Sequence, residues 1–165
     1  EDLTEQMNIA QTLRHSQEQY QQIVETAQEA ELALSQSEAR FRTLVQQSTY
    51  VITIIDASGM ITYQSPAAEH VFGYPPEELE NQDAFSLVHP DDLPHLLNLF
   101  QSLVQHPQKT ITETFRFRHK DGTWRTIEAV GRNLLDDPNI RGVVTNARDV
   151  TERVEAEIAL KKSEE

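Results

Sequence analysis

Neither glycine nor proline occurs in this chain before Gly59. These two residues end helices most readily, so nothing breaks a helical pattern up to about Gln47. Apolar residues in this stretch recur every seven positions in two rows, the pattern of a helix that packs along another helix. The first row is Leu13, Tyr20, Ala27, Leu34 and Phe41, and the second, which Ser16 and Ser37 interrupt, is Ile9, Ile23, Ala30 and Leu44.

A single helix cannot bury such a stripe on itself, so a partner helix is expected. We favour a parallel homodimer. The alternative is a helix that folds back on its own domain. The residues that we expect to meet across the dimer, called the seam below, are Leu13, Tyr20, Ile23, Ala27, Leu34, Phe41 and Leu44.

After Gln47 the pattern changes to that of strands. Residues 50–56 are a β-branched run, Gly59 lies in a turn, and residues 60–63 form a second strand, so the pair predicts a hairpin. Proline and glycine divide residues 66–104 into short helices, such as 67–71 and 77–79. The later predicted elements are a helix over about 92–105 and strands over 110–118, 123–133 and 142–147. This order predicts an α+β domain in which one face of a five-stranded antiparallel sheet carries helices.

Two local details of this plan can be predicted. Asp91 is a good N-cap for the long helix, Asp92 complements the helix dipole, and Pro94 falls in the first turn, where its missing N–H does no harm.

The turn between the third and fourth strands has either two residues, Asp-Gly, or three, Lys120-Asp121-Gly122. The first would place Glu128 beside Phe115 and Phe117, and the second Ile127 and Ala129. We favour the second, because it keeps an unpaired carboxylate away from two aromatic rings.

Composition restricts the function. All six Phe and the single Trp lie in residues 41–150, so the core belongs to the middle of the chain. A net charge of −13 argues against nucleic acid and against an anionic membrane surface. The chain contains no Cys, which excludes disulfides, thiolate metal sites and cysteine nucleophiles. With no apolar span or signal peptide, we expect a cytoplasmic fragment that makes no membrane contact. The first residue is not Met, and we expect the parent to be longer.

Residues 154–165 (VEAEIALKKSEE) repeat residues 28–39 (QEAELALSQSEA) at an offset of 126 residues, with seven of the twelve positions identical. Helical linkers share a bias toward Ala, Glu, Leu and Lys, but bias does not explain matched order without gaps. The offset is about the size of one domain. We therefore expect one unit of a tandem array, with a connecting helix at each end.

The middle of the chain resembles a PAS domain over roughly residues 37–152. Any one motif alone is weak, but six in the right order are specific. Ser65 stands where the family usually has Asn. The residues that carry the resemblance are RFRTL (40–44), ITY (61–63) with SPAA (65–68), FGY (72–74) with EEL (77–79), VHPDD (88–92), KDGTW (120–124) and DVTE (149–152).

The resemblance implies a five-stranded sheet that cups short helices over a small cavity, and a role in sensing or signal relay. PAS domains commonly precede histidine kinase or cyclic-dinucleotide synthase domains. We therefore expect residues 1–40 to be a signalling helix, 41–150 the PAS domain, and 151–165 the start of an output helix. The expected partners are a second copy and the adjacent PAS and output domains. The alternatives are a haem- or small-molecule sensor and a purely structural spacer.

The fold that the resemblance implies would place six apolar residues around any cavity: Phe72, Phe85, Leu97, Phe115, Phe117 and Val144. A packed core without ligand would use the same apolar residues, and we favour that interpretation. Haem-binding members of the family use a histidine on or near the long helix, so His95 and His106 are the candidate ligands. A surface histidine is the simpler interpretation. The flavin photoadduct that the resemblance implies needs a cysteine, which the chain lacks.

We expect no metal site, because Asp91 and Asp92, beside His89 and His95, are sufficiently explained as a helix start. We expect no catalytic residue either, since Asp136 and Asp137 lie in a turn and no phosphate-binding loop occurs, although the parent could be a histidine kinase. Asp149 and Thr151 are the predicted relay residues, because they join the last strand to the output helix and can cap its N-terminus. Ordinary capping without any signalling role is the alternative.

Overall fold

A computed structural model describes residues 2–164, so Glu1 and Glu165, the outer ends of the two predicted helical segments, lie outside the described residues. The chain divides after Leu44 into two compact units. The first unit belongs to a single helix, α1 (Asp2–Gln47). The second unit carries the rest of the fold: β1 (Val51–Ile55), β2 (Ile61–Gln64), α2 (Ala68–Val71), α3 (Pro76–Leu79), α4 (Leu93–Val104), β3 (Thr110–Arg118), β4 (Trp124–Leu134), β5 (Gly142–Asp149) and α5 (Thr151–Glu164).

Helix α1 confirms the long uninterrupted helix. Threonine hydroxyls within it donate to the carbonyl four residues earlier, as Thr26 does to Gln22 at 2.9 Å, so polar side chains are accommodated without a break. Val45 is its one buried side chain within residues 2–47. All seven seam residues are exposed, and the six larger ones range from Leu13 at 58% to Tyr20 at 72%.

The sheet confirms the α+β prediction of five antiparallel strands, in the order β2-β1-β5-β4-β3. The last strand lies at its centre, between β1 and β4. Val51 at the start of β1 is paired with Ala147 near the end of β5, so the chain enters and leaves the sheet at neighbouring positions. Helix α5 therefore begins at the end of β5, beside the start of β1.

The turn between β3 and β4 has the three-residue form. Arg118 pairs with Trp124, and the His119 amide donates to the Thr123 carbonyl at 2.8 Å, which leaves residues 120–122 as the loop. Gly122 has φ of 90°, a conformation that costs glycine little. Ile127 consequently pairs with Phe115 and is fully buried. Glu128 lies on the opposite face.

The core lies between the sheet and the short helices. Its members are Val51, Ile61, Ala67, Ala68, Phe72, Leu79, Val88, Phe117, Ile127 and Ala147. The rings of Phe72 and Phe117 pack with centroids 4.6 Å apart. Burying an isoleucine such as Ile127 contributes about 1.5–3 kcal/mol, so this cluster is the main source of the unit's stability.

Helix α4 matches its predicted position, with Pro94 in the first turn, but the capping prediction was wrong. Asp92, not Asp91, precedes the helix, and no side chain caps it. The Asp92 carboxylate instead accepts three hydrogen bonds from Arg116 of β3, from the backbone N, Nε and Nη2, at 2.8–3.0 Å. These bonds, partly offset by burial, lower the pKa of Asp92. The Asp92 carboxylate is thus turned toward β3 and makes no hydrogen bond to the amides of α4.

Among the helices of residues 2–164, none combines the length and the apolar character needed to cross a membrane.

Candidate functional site: the internal cavity and the exit of the sheet

A cavity of about 130 Å³ lies between the inner face of the sheet and the helices. Five of the six phenylalanines in the chain line it, Phe41 being the exception. Leucines of α4 and alanines of β4 and β5 complete the apolar part of the lining. Apolar walls with few polar groups are typical of small-molecule sites.

Part of the polar lining is a row of side chains that crosses three neighbouring strands. Thr53 of β1 donates its hydroxyl to Gln64 Oε1 of β2 at 3.1 Å, and Gln64 Nε2 donates to the Ile52 carbonyl at 3.4 Å. On the other side, the Thr145 hydroxyl of β5 lies 3.5 Å from the Thr53 carbonyl. Thr53 and Gln64 are buried at 8% and 3% exposure. We call Thr53, Gln64 and Thr145 the polar row.

The helix wall of the cavity is less deeply buried than the part of the sheet wall that β1 and β2 form. Leu96, Leu99 and Phe100 of α4 all line the cavity yet remain half-buried, whereas Leu103 at the end of the helix is buried. Phe100 meets Phe85 edge-on, with centroids 5.1 Å apart. This wall is therefore the part of the cavity that can move at the smallest cost in buried surface.

Four of the predicted cavity residues, Phe72, Phe85, Phe115 and Phe117, line the cavity. The prediction for Leu97 and Val144 was wrong. Leu97 is 37% exposed, and its neighbour Leu96 lines the cavity instead. The inward face of α4 therefore begins one residue earlier than the prediction assumed. Val143 faces inward in place of Val144, because side chains alternate along β5.

The predicted haem candidates lie outside the cavity lining. The side chain of His95 is 68% exposed, and its Nε2 lies 3.2 Å from Glu113 Oε2. His106 is also exposed and bonds through Nδ1 to the Ser102 carbonyl at 2.6 Å. A cavity of about 130 Å³ would have to open widely to enclose a porphyrin. Within the described residues, no three side chains of the His, Cys, Asp and Glu types gather as metal ligands would.

The exit of the sheet is a dense set of polar contacts around Asp149. One carboxylate oxygen accepts from Arg125 Nε of β4 at 2.7 Å, and the other accepts from the Thr151 amide at 2.8 Å and from the Thr151 hydroxyl. Burial raises the pKa of Asp149, but these bonds and the charge of Arg125 outweigh it and hold the pKa below its ordinary value. Asp149 therefore caps the first amide of α5 as an anion.

Thr151 connects α5 to the neighbouring strand. Its hydroxyl oxygen accepts from the Thr126 amide of β4 at 2.8 Å, and the Val150 amide donates to the Thr126 carbonyl at 2.8 Å. Thr151 is buried at 6% exposure. We call Arg125, Thr126, Asp149 and Thr151 the exit cluster. The predicted relay residues are thus adjacent, and each also bonds to β4.

A second link joins α5 to the outer face of the sheet. The Glu128 carboxylate of β4 accepts from Arg148 of β5 at 2.8 Å and lies 3.4 Å from Arg153 of α5. The hydrogen bond from Arg148 is the main cause that lowers the pKa of Glu128; burial opposes it, and the charge of Arg148 and the contact with Arg153 add to it. Glu128 lies between Ile127 and Ala129, whose side chains face the opposite side of the sheet.

The model of the PAS fold matches residues 61–145, just over half of the chain. The chain belongs to the PAS family. The "Basic helix-loop-helix ARNT-like protein 2" of Gallus gallus is 29% identical over 83 residues, which are 50% of this chain and 13% of that protein. The chain thus matches only a small part of the length of that relative.

Solved PAS structures have the same fold. The PAS domain of an HTR-like protein from Haloarcula marismortui superposes with a TM-score of 0.63 at 17% identity, over 74% of this chain and 98% of that one. A sensory box histidine kinase/response regulator from Burkholderia thailandensis superposes with a TM-score of 0.59 at 27% identity, over 76% and 95%. The PAS domain described here is therefore homologous to domains of signalling proteins.

Two sequence motifs of this PAS domain, FGY (72–74) and the β3–β4 hairpin, lie in contact. Gly73 has φ of 82°, and a Cβ there would lie 2.7 Å from Cε1 of His119. The Lys120 amide donates to the Phe72 carbonyl at 3.0 Å. The FGY motif and the β3–β4 hairpin are therefore in contact, and the glycine is needed for both its backbone conformation and its small size.

Sequence reasoning missed the polar row and two members of the exit cluster, Arg125 and Thr126. Thr53 and Thr145 look like ordinary strand residues, since threonine is common in sheets. Gln64 at the end of a short strand was a weak signal, because a buried amide needs partners that sequence does not locate. Arg125 could have been found by asking which cation pairs with Asp149.

Proposed function

We propose that this PAS domain is a relay module that passes a conformational change from its sheet or cavity to a downstream output domain through α5. It would act as a homodimer joined along the α1 seam, in a cytoplasmic signalling protein such as a histidine kinase or a cyclic-dinucleotide synthase. The proposed organisation is a helix over residues 1–40, the PAS domain over 41–150 and the output helix from 151. The fragment itself is proposed to be non-catalytic.

The exit cluster is the observation that supports the relay most directly. Helix α5 is attached to two strands at once, through Asp149 of β5 and through Arg125 and Thr126 of β4. A shift of β4 against β5 would therefore change the first turn of α5. Such an element can be biased from one end and can transmit that bias to the other.

The repeated segment supports a helical output. Residues 28–38 lie within α1, and the matching residues 154–164 lie within α5, so both copies are helical. The alignment places Leu160 opposite Leu34, a seam residue. We infer that α5 begins a second seam of the same kind, which leads to an adjacent PAS or output domain.

The relay can be tested by perturbing the cavity and observing α5. Ala129→Leu would push into the cavity from β4, whereas Val130→Leu places a leucine on the outer face of the same strand. Each is combined with Leu160→Cys, the only thiol in the chain, and disulfide formation between copies is timed. A relay predicts that Ala129→Leu changes the rate several-fold, that Val130→Leu does not, and that Asp149→Asn removes the response.

Equal rates in all variants would contradict the relay and favour the purely structural spacer. Amide hydrogen exchange over residues 154–163 gives an independent measure, because it does not depend on contact between copies. Exchange in β4 shows whether each variant is folded.

A second candidate function, small-molecule sensing, is favoured by the cavity. Its volume of about 130 Å³ is close to the roughly 150 Å³ of an engineered protein cavity that binds benzene. Sensing and relay are compatible, since occupancy of the cavity is one way to bias the sheet.

A further inference from the structure

The chemistry of the cavity narrows the kind of molecule that it can hold. Phe72, Phe85, Phe100, Phe115 and Phe117 all contribute to its walls. Aromatic rings pack well edge-on or offset against other rings. The volume and the walls together fit a ligand with one aromatic ring and little more.

The charges of the lining disfavour an anion. Asp83 and Glu113 are the charged lining residues, and no Lys, Arg or His of the described chain lines the cavity. Glu113 is held at one edge by its contact with His95. A buried carboxylate or phosphate on the ligand would have no cation to compensate it, at a large cost in free energy.

The polar row has more acceptors to offer than donors. The Thr53 hydroxyl donates to Gln64 Oε1 at 3.1 Å, and the Thr145 hydroxyl makes a long contact of 3.5 Å with the Thr53 carbonyl. Each hydroxyl oxygen keeps its lone pairs, and no donor of the described residues reaches either oxygen. Gln64 Nε2 already donates to Ile52, which leaves one N–H on that nitrogen. A ligand that brings its own hydrogen-bond donor matches this row best.

We propose that the cavity binds a small, uncharged molecule of one aromatic ring that carries an O–H or N–H donor, with the donor directed at Thr53 and Thr145. This inference rests on the proposed sensing function and names its class of ligand. The apolar ring would lie among the phenylalanines and the half-buried leucines of α4. Entry would move α4, the less deeply buried wall.

Three probes separate the parts of this proposal. Phenol has the ring and the donor, toluene has the same shape without the donor, and benzoate carries the excluded charge. Binding is measured on the whole chain from amide NMR shifts of β1, β5 and α4. We expect phenol to bind about fivefold more tightly than toluene, the factor that one net hydrogen bond contributes, and benzoate not to bind.

Thr145→Val keeps the shape of the side chain and removes the acceptor, so it should abolish the preference of phenol over toluene. Thr114→Val, an exposed position of β3 on the outer face, is the matched control and should leave it unchanged. Failure of all three probes to bind, equal binding of phenol and toluene, or tighter binding of benzoate would each overturn the proposal. An unchanged preference in Thr145→Val would also overturn it.

The result is independent of the relay test. If phenol binds as expected but α5 does not respond, the ligand class stands and the relay fails. If α5 responds to Ala129→Leu but phenol does not bind, the relay stands and the ligand class fails.

Discussion

Residues 2–44 and residues 45–164 treat their apolar side chains in opposite ways. The helix leaves Leu13, Tyr20 and Leu34 at least 58% exposed, whereas the second unit buries Val51, Ile127 and Val143 almost completely. The second unit can satisfy its hydrophobic residues within one chain, because a sheet and a layer of helices enclose them. A lone helix has no second layer. The difference fits the proposed function, in which the second unit supplies the stability and the helix would supply the association between copies.

The largest expected effect comes from the core. Ile127→Ala should lower the free energy of unfolding by about 3 kcal/mol, since it leaves a cavity in a fully packed site. Urea unfolding followed by the fluorescence of Trp124 measures it, and the loss should not depend on protein concentration. Val130→Ala on the outer face of the same strand should stay within about 0.5 kcal/mol. If the free energy lost in Ile127→Ala varied with protein concentration, the stability of residues 45–164 would depend on association, and the contrast between the two regions would fail.

The exit cluster should give the next effect. Asp149→Asn should cost about 2 kcal/mol at neutral pH, because Arg125 loses a charged hydrogen-bond partner. The pKa of Asp149 is lower in the folded protein than in the unfolded chain, so this stabilisation is complete above about pH 4 and is lost as the pH falls through the folded pKa. Urea unfolding of wild type and of Asp149→Asn at pH 7, 5 and 3 measures this. The free energies of unfolding of the two proteins should converge as the pH falls.

Other carboxylates with lowered pKa values, such as Asp56 and Asp92, make both proteins less stable in acid. Subtracting the free energy of unfolding of Asp149→Asn from that of wild type at each pH removes their contribution. If this difference in free energy stayed constant from pH 7 to pH 3, Asp149 would act through packing rather than charge.

The smallest expected effect lies in α1. Leu34→Ala should weaken dimerisation about tenfold, or about 1.4 kcal/mol, while the unfolding of residues 45–164 stays unchanged. Leu32 is an ideal control, because it is equally exposed, at 60% against 59%, and lies off the seam on another face of the helix. Sedimentation equilibrium measures both variants. Equal weakening by Leu32→Ala and Leu34→Ala would contradict the heptad seam, and a wild-type monomer would contradict the dimer.

The fold could be predicted from sequence because its signals are local. The absence of glycine and proline before Gly59 predicts α1, and the alternation of Thr110–Arg118 predicts β3 with the observed ends. The three-residue turn at Gly122 followed from the cost of placing Glu128 beside Phe115 and Phe117. Each of these depends on residues close together in the chain.

The site was harder to predict because its contacts join distant segments. The phase of a helix and the register of a strand each place a side chain in or out by one residue, which is why Leu96 and Val143 replace Leu97 and Val144. Asp92 was assigned to the helix dipole, and its partner Arg116 was missed because it lies 24 residues away in the chain. The order of the strands, with β5 at the centre, was also beyond local reasoning.

The pairing of Val51 with Ala147 has a consequence for how such chains can evolve. A segment whose two ends lie side by side can be inserted into a gene, duplicated or deleted while the flanking sequence keeps its continuity. The unit between the two copies of the repeated segment meets this condition. A gene could therefore gain or lose copies of this unit in steps of one domain.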